Sequence, residues 1–305
     1  MHRPYAWEFH LTTWVTLVIA VSLVILGHRR LLRSSAHPIR WTRREIWMFT
    51  GAAAAGAVAL TWPVADLAAH WSLTALVLQR LILMLAVAPL LLLGLPFDVL
   101  EWITRPALVD AALNRCRRPA TAIVIVTVIT VGSMVPPVVQ AQASSSPLRA
   151  LLAFGAVVAG LVLWLPALGR VPGIARLKPM VRFGYLTVQA VVPAFLSFVL
   201  ILSPHALYPV FSGSKAAIDL RPLNDQQIAG FVSKLTMLIV LLTVGGVGLA
   251  RSKPADEEVS LGDPLVWADV QRQFERADRS ASGPRPDQLE ATQKEQIPKG
   301  DAPSP

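Results

Sequence analysis

Long apolar stretches separated by short polar connections run through most of the chain. Each stretch is close to the ~20 residues that a helix requires to cross a hydrocarbon core of ~30 Å, with some allowance for tilt. The pattern therefore predicts an all-α, polytopic membrane helix bundle with seven transmembrane helices. The predicted spans cover residues 11–28, 46–64, 71–95, 119–140, 148–168, 183–203 and 228–250.

Two segments are too polar to be spans. Residues 97–118 mix acidic, basic and apolar side chains at helical spacing, which predicts a helix at the membrane interface. Residues 251–305 are rich in Pro, Ser, Gln and charged residues, so we predict a cytoplasmic, largely disordered tail after a membrane domain of residues 1–250. Within this tail, Asp263 and Pro264 have the pattern of a helix start, which predicts a short helix at 264–277.

The distribution of Lys and Arg predicts the orientation, because connections rich in these residues stay in the cytoplasm. Basic residues concentrate in 29–45, 97–118 and 169–182, and they recur just after the last span. The alternate connections carry few basic residues, namely Arg3, Arg149, Lys215 and Arg221. We therefore expect the N-terminus outside and the C-terminus in the cytoplasm.

The composition agrees with a membrane protein and argues against nucleic acid as a partner. Apolar residues make up 54% of the chain and charged residues only 15%. The net charge of +9 is concentrated in loops that face an anionic lipid surface, so we expect membrane lipids as partners and no nucleic acid. The single cysteine, Cys116, permits neither an internal disulfide nor a thiolate pair for a metal.

Arg80 interrupts the apolar run of the third predicted span and is the main candidate for chemistry. A guanidinium stays charged and costs ~3 kcal/mol or more at mid-bilayer, so an anionic or polar partner is expected. One interpretation is a structural ion pair with Asp66, Asp219 or Asp225. The other is an anion site for a lipid phosphate or a haem propionate, formed with Lys234 of the last span.

We expect Arg80, Asp225, Gln226 and Lys234 to form one polar cluster near the outer face. A lysine in the last of seven helices is also typical of retinal proteins, but a Schiff base requires a carboxylate counter-ion and an aromatic cavity, and aromatic residues are only 7% of the chain. A transporter is disfavoured because the chain has neither an internal repeat nor mid-membrane acids. No catalytic motif is present, so we expect a protein that is not an enzyme.

Three motifs resemble a known family. They are QRLILMLAVAPLLLLGLP (79–96), LYPVF (207–211) and LNDQQIAG (223–230). Their order and the predicted spans are similar to those of the CtaG-like cytochrome c oxidase assembly factors, a bacterial seven-span family, over about residues 45–250. The resemblance implies a plasma-membrane protein that helps to mature a copper-containing respiratory oxidase and that contacts oxidase subunits. Pro89, Gly94 and Pro96 are expected to shape the end of the third span.

The sequence departs from the family at the residues suspected of handling copper. Members typically carry H-M-x-Q-H before the leucine-rich run and W-H-x-P in the fourth span, whereas this chain has LVLQR at 76–80 and SMVP at 133–136. Leucine and arginine offer no lone pair to a metal, so no copper site is expected at this position.

Two further possibilities stay open. Copper could instead be held by three histidines predicted near the outer face, His10, His70 and His205, because neutral imidazole suits copper well. No two of them share a metal-ligand spacing on one element, so the other interpretation is that they anchor the chain at the membrane interface. The alternative function is a membrane scaffold or an anion- or lipid-binding module that no longer serves oxidase assembly.

Overall fold

The computed structural model describes residue 22 and residues 41–61, 63–211 and 221–252. Within these residues the regular elements are helices and no strand occurs, which confirms the predicted all-α class. The predicted first span, residue 22 excepted, and the predicted tail helix at 264–277 lie outside the described residues. The chain divides into two units, Met1–Arg251 and Ser252–Pro305, and the fold below is that of the first.

The helices follow one another through short connections. They are α1 Arg43–Leu60, α2 Val64–Asp66, α3 Leu73–Leu81, α4 Ala88–Gly94, α5 Phe97–Thr104, α6 Ala107–Cys116, α7 Pro119–Gly132, α8 Pro136–Ser144, α9 Ser146–Leu168, α10 Pro179–Val191, α11 Ala194–Leu202 and α12 Pro222–Ala250. Two π-helical turns, Leu67–Trp71 and Ile82–Val87, and a 3-10 turn, Pro209–Phe211, complete the described elements.

Several helical segments are long and apolar enough to cross a membrane. Four of them are Leu73–Gly94, Ser146–Leu168, Pro179–Leu202 and Pro222–Ala250. Two bent pairs, α1 with Val64–Trp71 and α7 with α8, raise the number to six if each pair is one span. These segments coincide with the second to seventh predicted spans. Between four and six candidate spans are therefore present in the described part of the chain, as a multi-pass membrane protein requires.

Prolines break helices that the apolar pattern presented as continuous. Residues 97–118 form two helices, α5 and α6, and Pro106 separates them; the prediction of one helix was wrong. The predicted span 119–140 bends by 62° between α7 and α8, at Pro136 and Pro137. Proline lacks the N–H that would continue the helix ladder, so the helix ends where the proline begins a new one.

The third span changes its winding at Pro89. The N–H of Ala88 bonds to the Leu83 carbonyl five residues back, which is the π-helical pattern. In that pattern the Met84 carbonyl would bond to residue 89, and proline has no N–H to donate. The indole Nε1 of Trp164 in α9 donates to this carbonyl instead, at 3.1 Å. One buried tryptophan therefore satisfies the backbone of the break and joins α9 to the third span.

Small residues allow the helices to approach closely. A Cβ at Gly160 of α9 would lie 2.6 Å from the Cβ of Ala88, and a Cβ at Gly94 would lie 2.5 Å from the backbone nitrogen of Phe49. The first contact packs α9 against the third span, and the second packs the end of that span against α1. α12 packs along α3, α10 and α11 and places its first turns beside the N-terminus of α3.

Candidate functional site

The break between α7 and α8 leaves backbone carbonyls without helical partners. In a continuous helix the Ser133 carbonyl would accept from residue 137, but Pro137 has no N–H. The N–H of Val138, which would serve the Met134 carbonyl, bonds to the Val135 carbonyl instead. Two carbonyls at a bend in a candidate span therefore require donors from elsewhere.

Arg80 supplies one of these donors. Its Nη1 lies 2.8 Å from the Ser133 carbonyl oxygen, 2.7 Å from the Ser133 hydroxyl and 3.1 Å from the Met134 sulfur. Its Nη2 lies 2.9 Å from the side-chain oxygen of Gln142 in α8. The half-buried guanidinium thus holds α3 against both sides of the break, and every one of these acceptors is neutral.

Tyr208, from the LYPVF motif, supplies the other donor. Its hydroxyl donates to the Met134 carbonyl at 2.7 Å, and the side chain is buried. Burial raises the pKa of Tyr208 to about 12, although the positive charge of Arg80 acts in the opposite direction. The hydroxyl therefore stays protonated at physiological pH and donates its hydrogen bond, so it gives Arg80 no negative charge.

No carboxylate among the described residues forms an ion pair with Arg80. Of the three acidic partners expected from the sequence, Asp225 is engaged elsewhere, and Asp219 lies outside the described residues. Asp66 lines a cavity together with Arg80, but no hydrogen bond or ion pair joins the two within the described part of the chain. The positive charge of Arg80 is thus held by neutral acceptors.

Asp225 caps the N-terminus of α3. Its Oδ2 accepts from the Leu73 N–H at 2.6 Å, and its Oδ1 accepts from the Ser72 hydroxyl at 2.9 Å and the Thr74 N–H at 3.3 Å. The Thr74 hydroxyl donates back to the Asp225 carbonyl at 2.9 Å. A carboxylate at this position satisfies the first amides of α3 and complements its helix dipole. Asp225 therefore holds α12 to α3.

Gln226 connects α12 to the end of α11. Its Nε2 donates to the Leu200 carbonyl at 3.1 Å, and its Oε1 accepts from the Leu207 N–H at 2.7 Å. The Leu200 carbonyl needs this donor because the residue four positions later is Pro204. Gln226 is buried and, like Asp225, has a structural explanation.

Lys234 lies apart from the other three residues. Its Nζ sits 3.9 Å from the centre of the Phe198 ring, a cation–π contact. It lines a separate, mostly apolar cavity of about 150 Å³ with Phe195 and Leu238. The four expected residues therefore have four separate sets of contacts, and no contact among the described residues brings Lys234 to Arg80.

The histidines do not converge in the described residues. No group of three or more His, Cys, Asp or Glu side chains there has the arrangement of a metal site. His70 lies on the π-helical turn before α3, His205 is exposed in the loop after α11, and His10 lies outside the described residues. The proposed histidine set stays a prediction because one of its members is not described.

Residue patterns alone do not identify Ser133, Gln142, Tyr208 and Arg149 as parts of this region. Pro136 and Pro137 carried a usable signal, because two successive prolines in an apolar helix free carbonyls that a neighbouring donor must satisfy. Arg80 was recognisable as such a donor. Its partner on another helix was not, since spacing along the chain does not show which helices are neighbours.

The fold and this region define a class of protein: an all-α, multi-pass membrane protein whose helix breaks are joined by polar side chains from neighbouring helices. A sequence model of the cytochrome c oxidase caa3 assembly factor family matches residues 23–252. The chain belongs to this family, which confirms the resemblance inferred from its motifs. No curated protein and no solved structure matches the chain significantly.

Proposed function

We propose that the protein assists the assembly of a copper-containing cytochrome c oxidase in the bacterial plasma membrane, as a non-enzymatic factor that contacts oxidase subunits. Membership of the caa3 assembly factor family, over residues 23–252, is the observation that carries this proposal. The candidate spans agree with a protein that acts within the membrane.

We further propose that it acts without a copper ion at residues 76–80. In the sequence resemblance, Leu76 and Arg80 stand where two histidines four residues apart would face one ion. Arg80 instead donates toward the Met134 sulfur, a soft atom that could otherwise serve copper. A fixed positive charge beside that sulfur opposes cation binding.

A deletion strain tests the proposed function. Loss of the protein should lower cytochrome c oxidase activity and the oxidase absorption band in membranes, and a plasmid copy should restore both. Because the proposal gives the protein no copper of its own to deliver, added copper should not replace it. Normal oxidase activity in the deletion strain at every copper concentration would rule out the assembly role. It would favour the alternative of a membrane scaffold or anion-binding module.

The copper part has its own test, which does not depend on oxidase. Purified full-length protein should bind less than one equivalent of Cu(I) at any site that depends on residues 76–80. A variant with both Leu76→His and Arg80→His should gain an ion, because histidines at i and i+4 share one helix face. Copper that is bound by the natural protein and lost in Met134→Leu would contradict the proposal.

A further inference from the structure

A cavity of about 230 Å³ lies beside Arg80, on the side of α3 that faces the start of α9. The π-helical turn Leu67–Trp71, α3 and α9 form its walls, and the end of α8 contributes Gln142. Its ionisable lining among the described residues consists of Arg80, Arg149, Asp66 and His70. Leu76 and Arg80, which the copper proposal also concerns, line this cavity, but nothing in the proposed oxidase role requires a ligand in it.

Arg149 and Arg80 are held by the same residue. Nη1 of Arg149 donates to the Gln142 and Ala143 carbonyls at 2.9 Å each, while Arg80 Nη2 donates to the Gln142 side-chain oxygen. A guanidinium has five N–H donors, and Nη2 and Nε of Arg149 make no hydrogen bond to described residues. Two permanent cations therefore line one cavity, and the Arg149 guanidinium keeps unused N–H donors.

The charges of this lining favour an anion. Two arginines face one aspartate there, and the acceptors that Arg80 and Arg149 contact in α8 and in the break before it are neutral. Attraction between charges is strong where water is scarce, so two guanidiniums in a partly enclosed space attract an anionic group. The N-terminus of α9, which follows directly on Ser145, adds the positive end of a helix dipole.

The size of the cavity restricts the ligand. Sites for whole small molecules usually measure ~300–1,000 Å³, so a space of about 230 Å³ holds a compact group and excludes a haem macrocycle. Arginine forks match the oxygens of a phosphate, which offers acceptors to two guanidiniums at once. We infer that this cavity binds a phosphate group, held by Arg149 and Arg80, from either a phospholipid headgroup or soluble phosphate.

The test uses purified full-length protein, stripped of lipid in detergent and kept in phosphate-free buffer. Phosphatidylglycerol is added in one arm and followed by native mass spectrometry, and inorganic phosphate is added in the other and followed by thermal unfolding. A ligand that binds the folded protein raises its unfolding temperature. Arg149→Gln removes a charge-assisted contact and should weaken binding at least ~10-fold. Binding of lipid alone identifies a headgroup as the ligand, and a response to inorganic phosphate identifies the soluble anion.

Two further variants separate binding from folding and from net charge. Arg105→Gln removes the same charge at an exposed i,i+4 pair with Glu101 and should bind like the natural protein. Ala150→Leu fills the cavity at an exposed lining position without changing charge, and it should abolish binding. The inference is overturned if neither probe binds, or if Arg149→Gln and Ala150→Leu bind as tightly as the natural protein.

Discussion

Arg80 Nη1 lies 2.8 Å from the carbonyl oxygen of Ser133, whose helical donor is missing because residue 137 is proline. The charged side chain therefore completes the backbone of a different helix. The cost of placing a cation in a span is offset by hydrogen bonds that the bent helix would otherwise lack. This relation explains why an arginine is stable in an otherwise apolar run.

Replacement of Arg80 by leucine should destabilise the protein by about 3 kcal/mol or more. The change leaves the Ser133 carbonyl and the Gln142 side-chain oxygen without their donor, and each unsatisfied buried group costs ~1–3 kcal/mol. Denaturant unfolding in detergent, followed by tryptophan fluorescence, measures the loss. Arg80→Lys keeps the positive charge but loses the planar guanidinium with its several donors. Its stability should therefore lie between that of Arg80→Leu and that of the natural protein. An Arg80→Leu protein as stable as the natural one would contradict this account.

Replacement of Asp225 by alanine should cost ~2–3 kcal/mol, because the Leu73 and Thr74 amides lose their acceptor at the start of α3. The same unfolding measurement applies. Asp98 in the first turn of α5 is exposed and provides a matched control, since Asp98→Ala should change stability by less than ~0.5 kcal/mol. Equal effects at the two positions would show that the cap does not hold α12 to α3.

Much of the fold could be predicted from apolar length alone, because the bilayer fixes how long a span must be. The third, fifth, sixth and seventh predicted spans overlap candidate spans of the structure, and the second and fourth overlap the two bent helix pairs. Prolines such as Pro136 and Pro137 could be recognised from the sequence as positions that kink a span, but the donors that satisfy the freed carbonyls could not. A freed carbonyl is satisfied by whichever donor the packing brings near, and packing is not visible in the length of an apolar run.

Two glutamines of the family motifs show how packing decides which carbonyl a side chain satisfies. Gln79 donates to the Ala59 carbonyl at 2.8 Å, and the residue four positions after Ala59 is Pro63. Gln226 does the same for a carbonyl of α11 that lacks its donor because of Pro204. We expected Gln226 to join Arg80 and Asp225 in one cluster, because all are polar and near one end of the bundle. Each instead serves its own helix end.

Stability should decline as the pH rises from about 10 toward about 12, in part because of Tyr208. Its pKa is about 12 in the folded protein and near 10 when exposed, so the folded state holds the proton more tightly. The stabilisation, up to about 3 kcal/mol, is complete below pH 10 and is lost as the pH approaches the folded pKa. The free energy of unfolding, measured between pH 9.5 and 11.5, should fall more steeply with pH for the natural protein than for Tyr208→Phe. Parallel curves would exclude Tyr208 as a cause.

Cysteine labelling should place the C-terminal end of α8 outside the cell and α6 inside. In intact cells an impermeant maleimide should label Ser144→Cys, whereas Asn114→Cys should react only after lysis. The native Cys116 gives little background, because it is 7% exposed and burial raises the pKa of its thiol. The unmodified protein is the control for that background. Labelling of position 114 before lysis would reverse the orientation predicted from Lys and Arg.

Lys234 should be unnecessary for folding. It lies 12 residues beyond Pro222, ~18 Å along α12 at ~1.5 Å per residue, near the middle of that helix. Its contact with Phe198 is worth ~0.5–2 kcal/mol, less than the ~3 kcal/mol that a cation costs at mid-bilayer. Lys234→Met should therefore unfold at the same temperature as the natural protein or higher.

The same variant distinguishes a structural lysine from one that contacts a partner. If the oxidase contacts this side of α11 and α12, Lys234→Met should reach normal levels in the membrane yet restore less oxidase to the deletion strain, and Lys234→Arg should restore more because it keeps the positive charge. Full restoration by Lys234→Met would exclude the contact. A drop in its unfolding temperature would show instead that the lysine stabilises the bundle, since the loss of the cation–π contact would then exceed the gain from removing a charge from the membrane.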